Sequence, residues 1–374
     1  MMINKKRYIV LGIMSGTSMD GLDCSVIETD GHDYNNILLE QTFNYSFKYI
    51  KELKKIIKYL PETKNKQLIY SKKKEIIVNN ELIKIIKNFL KISENNKINI
   101  NLIGFSGQTI YHNPVEKYSL QLGSGKLIHK KTKIPTVSNF RENDLKNNGQ
   151  GAPIGSFYHE HILKKIKGYN AIINIGGVSN ITYIYKKKLL SYDICQGNAL
   201  IDDLCYHFFK KNYDLNGCIA KKGEIIKEIL NKYKKNDFFL KKYPKSLDRN
   251  YFNAYLKILK KQDPYNAVKT ASMMTVIGII ENIKLINLNF DSIVLTGGGR
   301  NNLFIFNKIK ERIKNLNIKV SKIDSYGLDG DMIESQMFGY IAVRSIKKLP
   351  LSLPTTTGVL KPTSGGRLFG KLKN

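Results

Sequence analysis

Four polar, glycine-bearing stretches carry the residue types that chemistry would need. The first, residues 16–23 (GTSMDGLD), follows the apolar run 8–14 and leads into a second apolar run, 22–28. Gly16 and Gly21 permit positive φ and close backbone approach. The hydroxyls of Thr17 and Ser18, with the free amides of such a bend, suit phosphate oxygens, and Asp20 or Asp23 could hold a hydrated cation. The same residues also make a tight hairpin with polar tips, and this stretch alone leaves both readings open. The second, residues 139–155, gathers Arg141, Asp144, Gln150 and Gly151 in one loop. A plain connection does not need that combination, whereas a ligand carboxylate with hydroxyls would use it. The third places Gly176 and Gly177 inside NAIINIGGVSNITYIY, followed by Asp193 at the end of the run 189–194, just ahead of Gly197 and Asn198. A carboxylate at a strand end beside a glycine turn is placed for acid–base work. It would equally fix the turn and the start of the next helix, with Asn198 as N-cap. The fourth is Gly297, Gly298 and Gly299 between the run 291–296 and a helical pattern, an arrangement that suits an anion.

Two further stretches are weaker. The acidic segment 324–334 ends in Glu334 at the start of a helical pattern, which is either pairing with the helix dipole or a role in a site. The GSGK at 123–126 is not a phosphate loop: Leu120 stands at the first glycine position and Leu127 where Ser or Thr is required. The glycines at 297–299 likewise lack the spaced third glycine of a dinucleotide fingerprint.

The elements that must position these residues alternate strand and helix. Apolar spacings of three and four predict helices at 48–60, 66–92, 199–210, 268–285, 303–315 and 335–347. Runs rich in β-branched residues predict strands before each glycine turn. The region 216–249 reads as Lys-rich, mostly helical surface, and the tail 350–374 as irregular. Similar strand–glycine–strand hairpins in the two halves of the chain point to a duplicated domain with a nucleotide between the copies. At 374 residues the chain suits two domains. We expect them at 1–135 plus 350–374 and at 136–349.

Composition narrows the function. The net charge is +30, yet seven of the 61 basic residues are Arg. An excess of Lys spread over the chain reads as a solvated surface, since base reading and phosphate clamping favour Arg. It would still draw in anionic substrates. No nucleic-acid partner is expected. No run approaches the length of a membrane span, and no signal peptide is recognisable, so a cytoplasmic protein is expected. Cys24, Cys195, Cys205 and Cys218 include no CxxC pair, which argues against zinc and for reduced thiols.

Together these stretches resemble the anhydro-N-acetylmuramic acid kinase family. The matching pieces are GIMSGTSMDGLD (12–23), GQTI (107–110), Phe140–Arg141 with Asp144 and GQGAP (149–153), NIGGVSNIT (174–182), Asp193 with Gly197 and Asn198, LTGGGRNN (295–302) and DGDMIESQMFGYIA (329–342). They span nearly the whole chain in family order. The resemblance implies an α/β fold of two actin-like ATPase (RNase H-like) domains with an interdomain cleft. It also implies conversion of 1,6-anhydro-N-acetylmuramic acid, ATP and water to N-acetylmuramic acid 6-phosphate in peptidoglycan recycling, by a homodimer. On that resemblance Asp193 matches the catalytic base, with Glu334 assisting. Gly16, Thr17, Ser18, Met19, Asp20, Gly21, Leu22 and Asp23 match the ATP phosphate loop, with Mg²⁺ near Asp20. Gly176, Gly177, Gly297, Gly298 and Gly299 are further nucleotide candidates, and Gln108, Arg141, Asp144, Gln150 and Gly151 candidates for the sugar. Ser106, Asn139, Asn148 and Gln196 depart from the family's usual His, Asp, Gly and Gly-Pro. Two alternatives remain at this point: another sugar or polyol kinase of the same fold, or a binding protein that has lost turnover.

Overall fold

The apolar runs at 170–175 and 292–296 hold too many consecutive Ile, Val and Leu for a strand with one wet face. Both become strands that are buried at every position. The computed structural model describes residues 6–16, 19, 21–113 and 115–372. In one part of the chain β1 (Tyr8–Ser15), β2 (Gly21–Thr29) and β3 (Asn35–Asn44) form an antiparallel meander. β4 (Leu102–Asn113) lies parallel to β1, β5 (Tyr118–Leu122) folds back on β4, and β6 (Thr136–Ser138) lies parallel to β4. Further along, β7 (Asn170–Ile175), β8 (Val178–Tyr185) and β9 (Lys188–Gln196) repeat the meander. There β10 (Ser292–Thr296) is parallel to β7, and β11 (Lys319–Lys322) is parallel to β10. A last short strand, β12 (Arg367–Phe369), returns to pair with β6.

The strand orders are β3-β2-β1-β4-β6 and β9-β8-β7-β10-β11, the same path drawn twice. The fold is thus α/β with two mixed-sheet units, as the resemblance implies. Each unit has its own apolar core. One is built around Leu11, Ile13, Val26, Leu82, Phe89 and Phe105, the other around Ile173, Ile194, Leu204, Met274, Ile277 and Ile293.

The first unit runs to Tyr158 and takes back Glu334–Pro354 and the chain from Val359 on; the second comprises His159–Ile333 and Thr355–Gly358. This division differs from the expected 135/136 and 349/350 boundaries for two reasons. β6 is hydrogen-bonded to β4 and so holds residues beyond 135 in the first sheet. The helix Ile333–Ile346 seats its backbone on that same sheet. Gly12 and Gly104 are register partners on β1 and β4. A Cβ on Gly12 would stand 1.9 Å from the Ser335 carbonyl oxygen, and one on Gly104 2.1 Å from that of Phe338. In the second unit the glycine is on the helix instead: within Pro264–Ile286, a Cβ on Gly278 would lie 2.3 Å from the Cβ of Cys195 in β9.

The region 216–249 is not the surface that its lysines suggest. Tyr233, Phe238, Phe239 and Leu247 are core residues, and Lys245 is 5% exposed. Its helices, Cys218–Lys222 and Lys227–Lys234, are short, so the apolar period has little length over which to declare itself. GSGK is a helix start: Ser124 Oγ accepts from the Leu127 amide at 3.2 Å.

Gly12→Ala drives a methyl into helix backbone that cannot move aside. We expect a loss of about 3 kcal/mol, at the top of the usual overpacking range. Thermal unfolding of the variant checks this, and an unchanged midpoint would contradict the seating.

Candidate active site

In the second unit, β7 and β10 run parallel side by side, and both end in glycines. The open ends of parallel strands are where α/β folds receive ligands. Gly297 has φ 76° and ψ 167°, a conformation that essentially only glycine adopts. Gly299 packs against Ile175, whose Cγ2 would be 2.2 Å from an added Cβ. These two glycines are demanded by the fold. Gly298 and Gly176 are not. No heavy atom lies within 4 Å of a Cβ on Gly298, and one on Gly176 meets nothing closer than 3.5 Å. Neither has positive φ. Glycine at these two positions leaves room that the protein itself does not fill.

The Gly176–Gly177 bend is tied to the end of β9. The Gly176 carbonyl accepts from Asn198 N at 2.7 Å, and the Gly177 carbonyl from Gly197 N at 3.0 Å and Ala199 N at 3.2 Å. Gly197 must be glycine, since its Cβ would fall 2.0 Å from the Gly176 oxygen. Asn198 does not cap the helix Ala199–Phe209 with its side chain. Its amide instead reaches back to the Ile175 carbonyl at 3.4 Å, because holding the two bends together takes the geometry a cap would need.

Asp193 lies three positions before the end of β9 and is 5% exposed. Its Oδ2 accepts from Leu247 N at 2.7 Å, and its own amide donates to the Lys245 carbonyl at 3.0 Å. Residues 245–247 therefore brace Asp193, Leu247 at the carboxylate and Lys245 at the backbone, a function the sequence reading missed by assigning this region to the surface. A carboxylate next to a buried, charge-bearing group is a signal that spacing alone could not supply. Lys245 is that group. Its Nζ donates to the Phe238 carbonyl at 3.3 Å and to Asn282 Oδ1 at 3.4 Å, and packs 4.6 Å from the Phe238 ring. Burial lowers its pKa to about 8, against the opposite pull of Cys195 and Asp193.

In the first unit the candidate phosphate loop begins at Gly16. Thr17, Ser18 and Asp20 lie outside the described residues. Met19 has φ 59° and donates its amide to the Gly16 carbonyl at 3.2 Å. Gly21 is needed where β2 meets Phe43, and Leu22 is wholly buried, so Leu22 contributes core packing here. Asp23 accepts from Thr42 Oγ1 at 2.6 Å. Gln108 is wholly buried and braces the loop. Its Oε1 accepts from Ser15, and its Nε2 donates to the carbonyls of Gly16 at 3.2 Å and Thr109 at 3.4 Å. Ser15 Oγ also meets Tyr45 Oη at 2.6 Å. Among the described residues no group of three His, Cys, Asp or Glu side chains could hold a metal.

Arg141 lines a small cavity with Ser106, Gly107, Thr109, Gln121 and Phe140. Asp144 is 1% exposed and pins the following loop, accepting from Gly151 N at 2.6 Å. Gly151 itself has φ 74°, and Gln150 beside it is half-buried. His112 packs against this loop, with no hydrogen-bond partner on either ring nitrogen. Burial, then Arg141, lower its pKa to about 3 and keep it neutral. Glu334 opens the first unit's returning segment, half-buried in the first turn of Ile333–Ile346.

The departures from the family pattern fit the backbone they occupy. Asn148 and Asn139 have φ 68° and 60°, where Asn is the side chain best tolerated after glycine. Ser106 Oγ accepts from the Ser15 amide at 3.3 Å, so it too braces the loop. Gln196 donates to the Ala271 carbonyl at 3.1 Å, while Gly197 and Asn198 beside it keep the hydrogen bonds described above.

Known proteins are similar to this chain over nearly its whole length. The family model described as anhydro-N-acetylmuramic acid kinase matches residues 7–371. Proteins so named from Pelagibacter ubique and Rhodopseudomonas palustris are 36% and 33% identical, over 97% and 96% of this chain and 99% and 98% of theirs. Among solved structures, the activator of the 2-hydroxyisocaproyl-CoA dehydratase from Clostridium difficile with bound ADPNP aligns at 11% identity. It covers 91% of this chain and 96% of that one, with a TM-score of 0.45.

The Lys245 ammonium gives a pH test of the site's packing. The unfolded side chain takes its proton near 10.5 and the folded one near 8. Stability should therefore rise as the pH goes from 8 to 10.5 and be flat, for this group, below 8. Lys245→Met should remove that rise relative to the unaltered protein. Urea midpoints of both proteins at pH 8 and 10 decide it, and parallel pH dependences would show that Lys245 is not buried as described.

Proposed function

The chain belongs to the anhydro-N-acetylmuramic acid kinase family, and from that premise we propose how its residues divide the family's reaction. It is an ATP-dependent kinase that turns 1,6-anhydro-N-acetylmuramic acid and water into N-acetylmuramic acid 6-phosphate in peptidoglycan recycling. The bicyclic sugar has no free O6. Water must add to C1 while the C1–O6 bond breaks, and O6 must take the γ-phosphoryl group as the bond to ADP breaks. The water proton leaves to a base.

Asp193 is our choice for that base. The Leu247 amide holds its carboxylate and the Lys245 carbonyl holds its backbone near the end of β9, so it loses little freedom when it accepts a proton from water. Gly176 and Gly298 are the observation that carries the nucleotide assignment: at both, the space beside the backbone is left open by the fold. ATP phosphates fit that chemistry, since backbone N–H groups can approach an anion only where no side chain intervenes. The loop from Gly16 to Asp23, braced by Gln108, is proposed as the first unit's phosphate-binding element. Asp144 accepts from the Gly151 amide and Gln108 donates to the Gly16 and Thr109 carbonyls, so we assign them to positioning, and Arg141, Gln150 and Gly151 to the sugar and its lactyl carboxylate. Glu334 is kept as an assisting carboxylate.

Mg²⁺ would be held chiefly by the phosphates, with Asp20 or Asp23 reaching it through water; this is the usual economy of Mg²⁺ sites, which rarely use an all-protein cage. We further propose a cytoplasmic homodimer. No described helix is long and apolar enough to cross a membrane.

Reaction in ¹⁸O-water should give 6-phosphorylated, ring-opened product with the label at C1 and none in the phosphate. Asp193→Asn should lower kcat by about 10²–10⁴, as for loss of a general base, while ADP binds as before. Label in the phosphate would sink the O6 route. Full turnover by the variant would remove Asp193 from the mechanism.

A further inference from the structure

Arg300, just past the glycine turn, has a side chain that is 3% exposed among acids that are half in water. Its Nε and Nη2 fork onto the Asp324 carboxylate at 2.8 and 2.9 Å. Nη1 donates to Asp331 and, at 3.2 Å, to the Gly297 carbonyl. Asp329 lies 3.7 Å from Nη2. The chain passes so close at Gly330 that a Cβ there would stand 2.1 Å from Nε. Buried ion groups of this kind are weak evidence for stability, and their better-attested use is to specify one arrangement.

The arrangement at stake is the turn. Gly297 sits in a glycine-only conformation, which persists only where its surroundings over-determine it. Arg300 supplies two of the restraints, because its backbone amide at 3.1 Å and its Nη1 both donate to the Gly297 oxygen. A planar trans peptide then sends the Gly298 N–H the opposite way, away from Arg300. Gly298 is exposed, and no side chain of the fold comes near its Cβ position.

We propose that Arg300, gripped by Asp324 and Asp331, is a positioning residue that holds the Gly297 carbonyl so that the Gly298 N–H is presented to the nucleotide. This rests on the reading of the turn as a nucleotide site. Lysine cannot stand in, because a point ammonium cannot bridge two carboxylates and a carbonyl in fixed directions.

The test uses the full chain, a fluorescent ADP analogue for affinity, steady-state rates and thermal unfolding. Arg300→Met should weaken ADP binding and raise the KM for ATP by about tenfold to hundredfold, the loss of a hydrogen bond to a charged group. The KM for the anhydro sugar should stay put, and Arg300→Lys should recover only part of the loss. A merely structural role would lower the melting temperature and kcat and leave the KM for ATP alone, and that result overturns the proposal. If Arg300→Met does not fold, Asp324→Asn carries the same comparison, since it weakens the fork that aims the guanidinium at Gly297 while leaving the arginine in place. Gly298→Leu separates the two levels, because no protein atom lies within 4 Å of the added Cβ and the side chain should abolish ADP binding in a folded protein. Normal ADP affinity in Arg300→Met or Asp324→Asn, with binding lost in Gly298→Leu, would remove Arg300 from the device and keep the turn. Normal affinity in Gly298→Leu would sink the nucleotide reading itself.

Discussion

The carbonyls of Gly176 and Gly177 fasten together the two bends of the second unit's candidate site. They receive the amides of Gly197, Asn198 and Ala199, and so bind the end of β9 to the bend after β7. Together with the β8–β9 ladder, those three hydrogen bonds fix the end of β9, three residues beyond Asp193, against the bend after β7. Backbone groups serve here because a carbonyl and an amide of strand-end residues carry no rotamers to freeze. The bond geometry leaves so little room that position 197 can only be glycine.

Glycines in this protein fall into two physical kinds. Gly12, Gly104, Gly197, Gly278 and Gly299 are required by neighbours that would collide with a methyl group. Gly176 and Gly298 are required by nothing in the fold, although they sit in the same turns. The first kind builds the scaffold by letting helix backbone or a second bend approach. The second kind leaves open space beside the backbone. The departures from the family pattern obey the same distinction. Asn148 and Asn139 occupy left-handed backbone that asparagine tolerates, and Ser106 takes up a loop amide.

Charge is handled differently at the surface and inside. The lysines that dominate the net charge of +30 are spread over the chain and act, if at all, as a diffuse field for anionic substrates. The interior charges are few and individually held. Arg300 is satisfied by a fork onto Asp324 and by Asp331, and that contact in turn draws the Asp324 carboxyl below its usual range. Lys245 has only neutral oxygens as hydrogen-bond partners, so burial dominates and its proton is easier to lose.

The turns, their order and the duplication could be read from the chain alone, because glycine, proline and β-branched runs constrain backbone locally. Asp193, Arg141 and the three glycines at 297–299 stood out for the same reason: their neighbours in sequence are the turns that present them. Folding decided what locality cannot express. The bracing of Asp193 by Lys245 and Leu247 joins segments more than fifty positions apart, and the lysines around them disguised a core segment as surface. Gln108 and Asp144 looked like groups for a ligand, yet they spend hydrogen bonds on Gly16 and Gly151, since a buried amide or carboxylate takes the nearest unpaired backbone group. Which glycines were spare and which were compulsory could not be known from composition, because the difference lies in what stands within 4 Å of an atom that is not there.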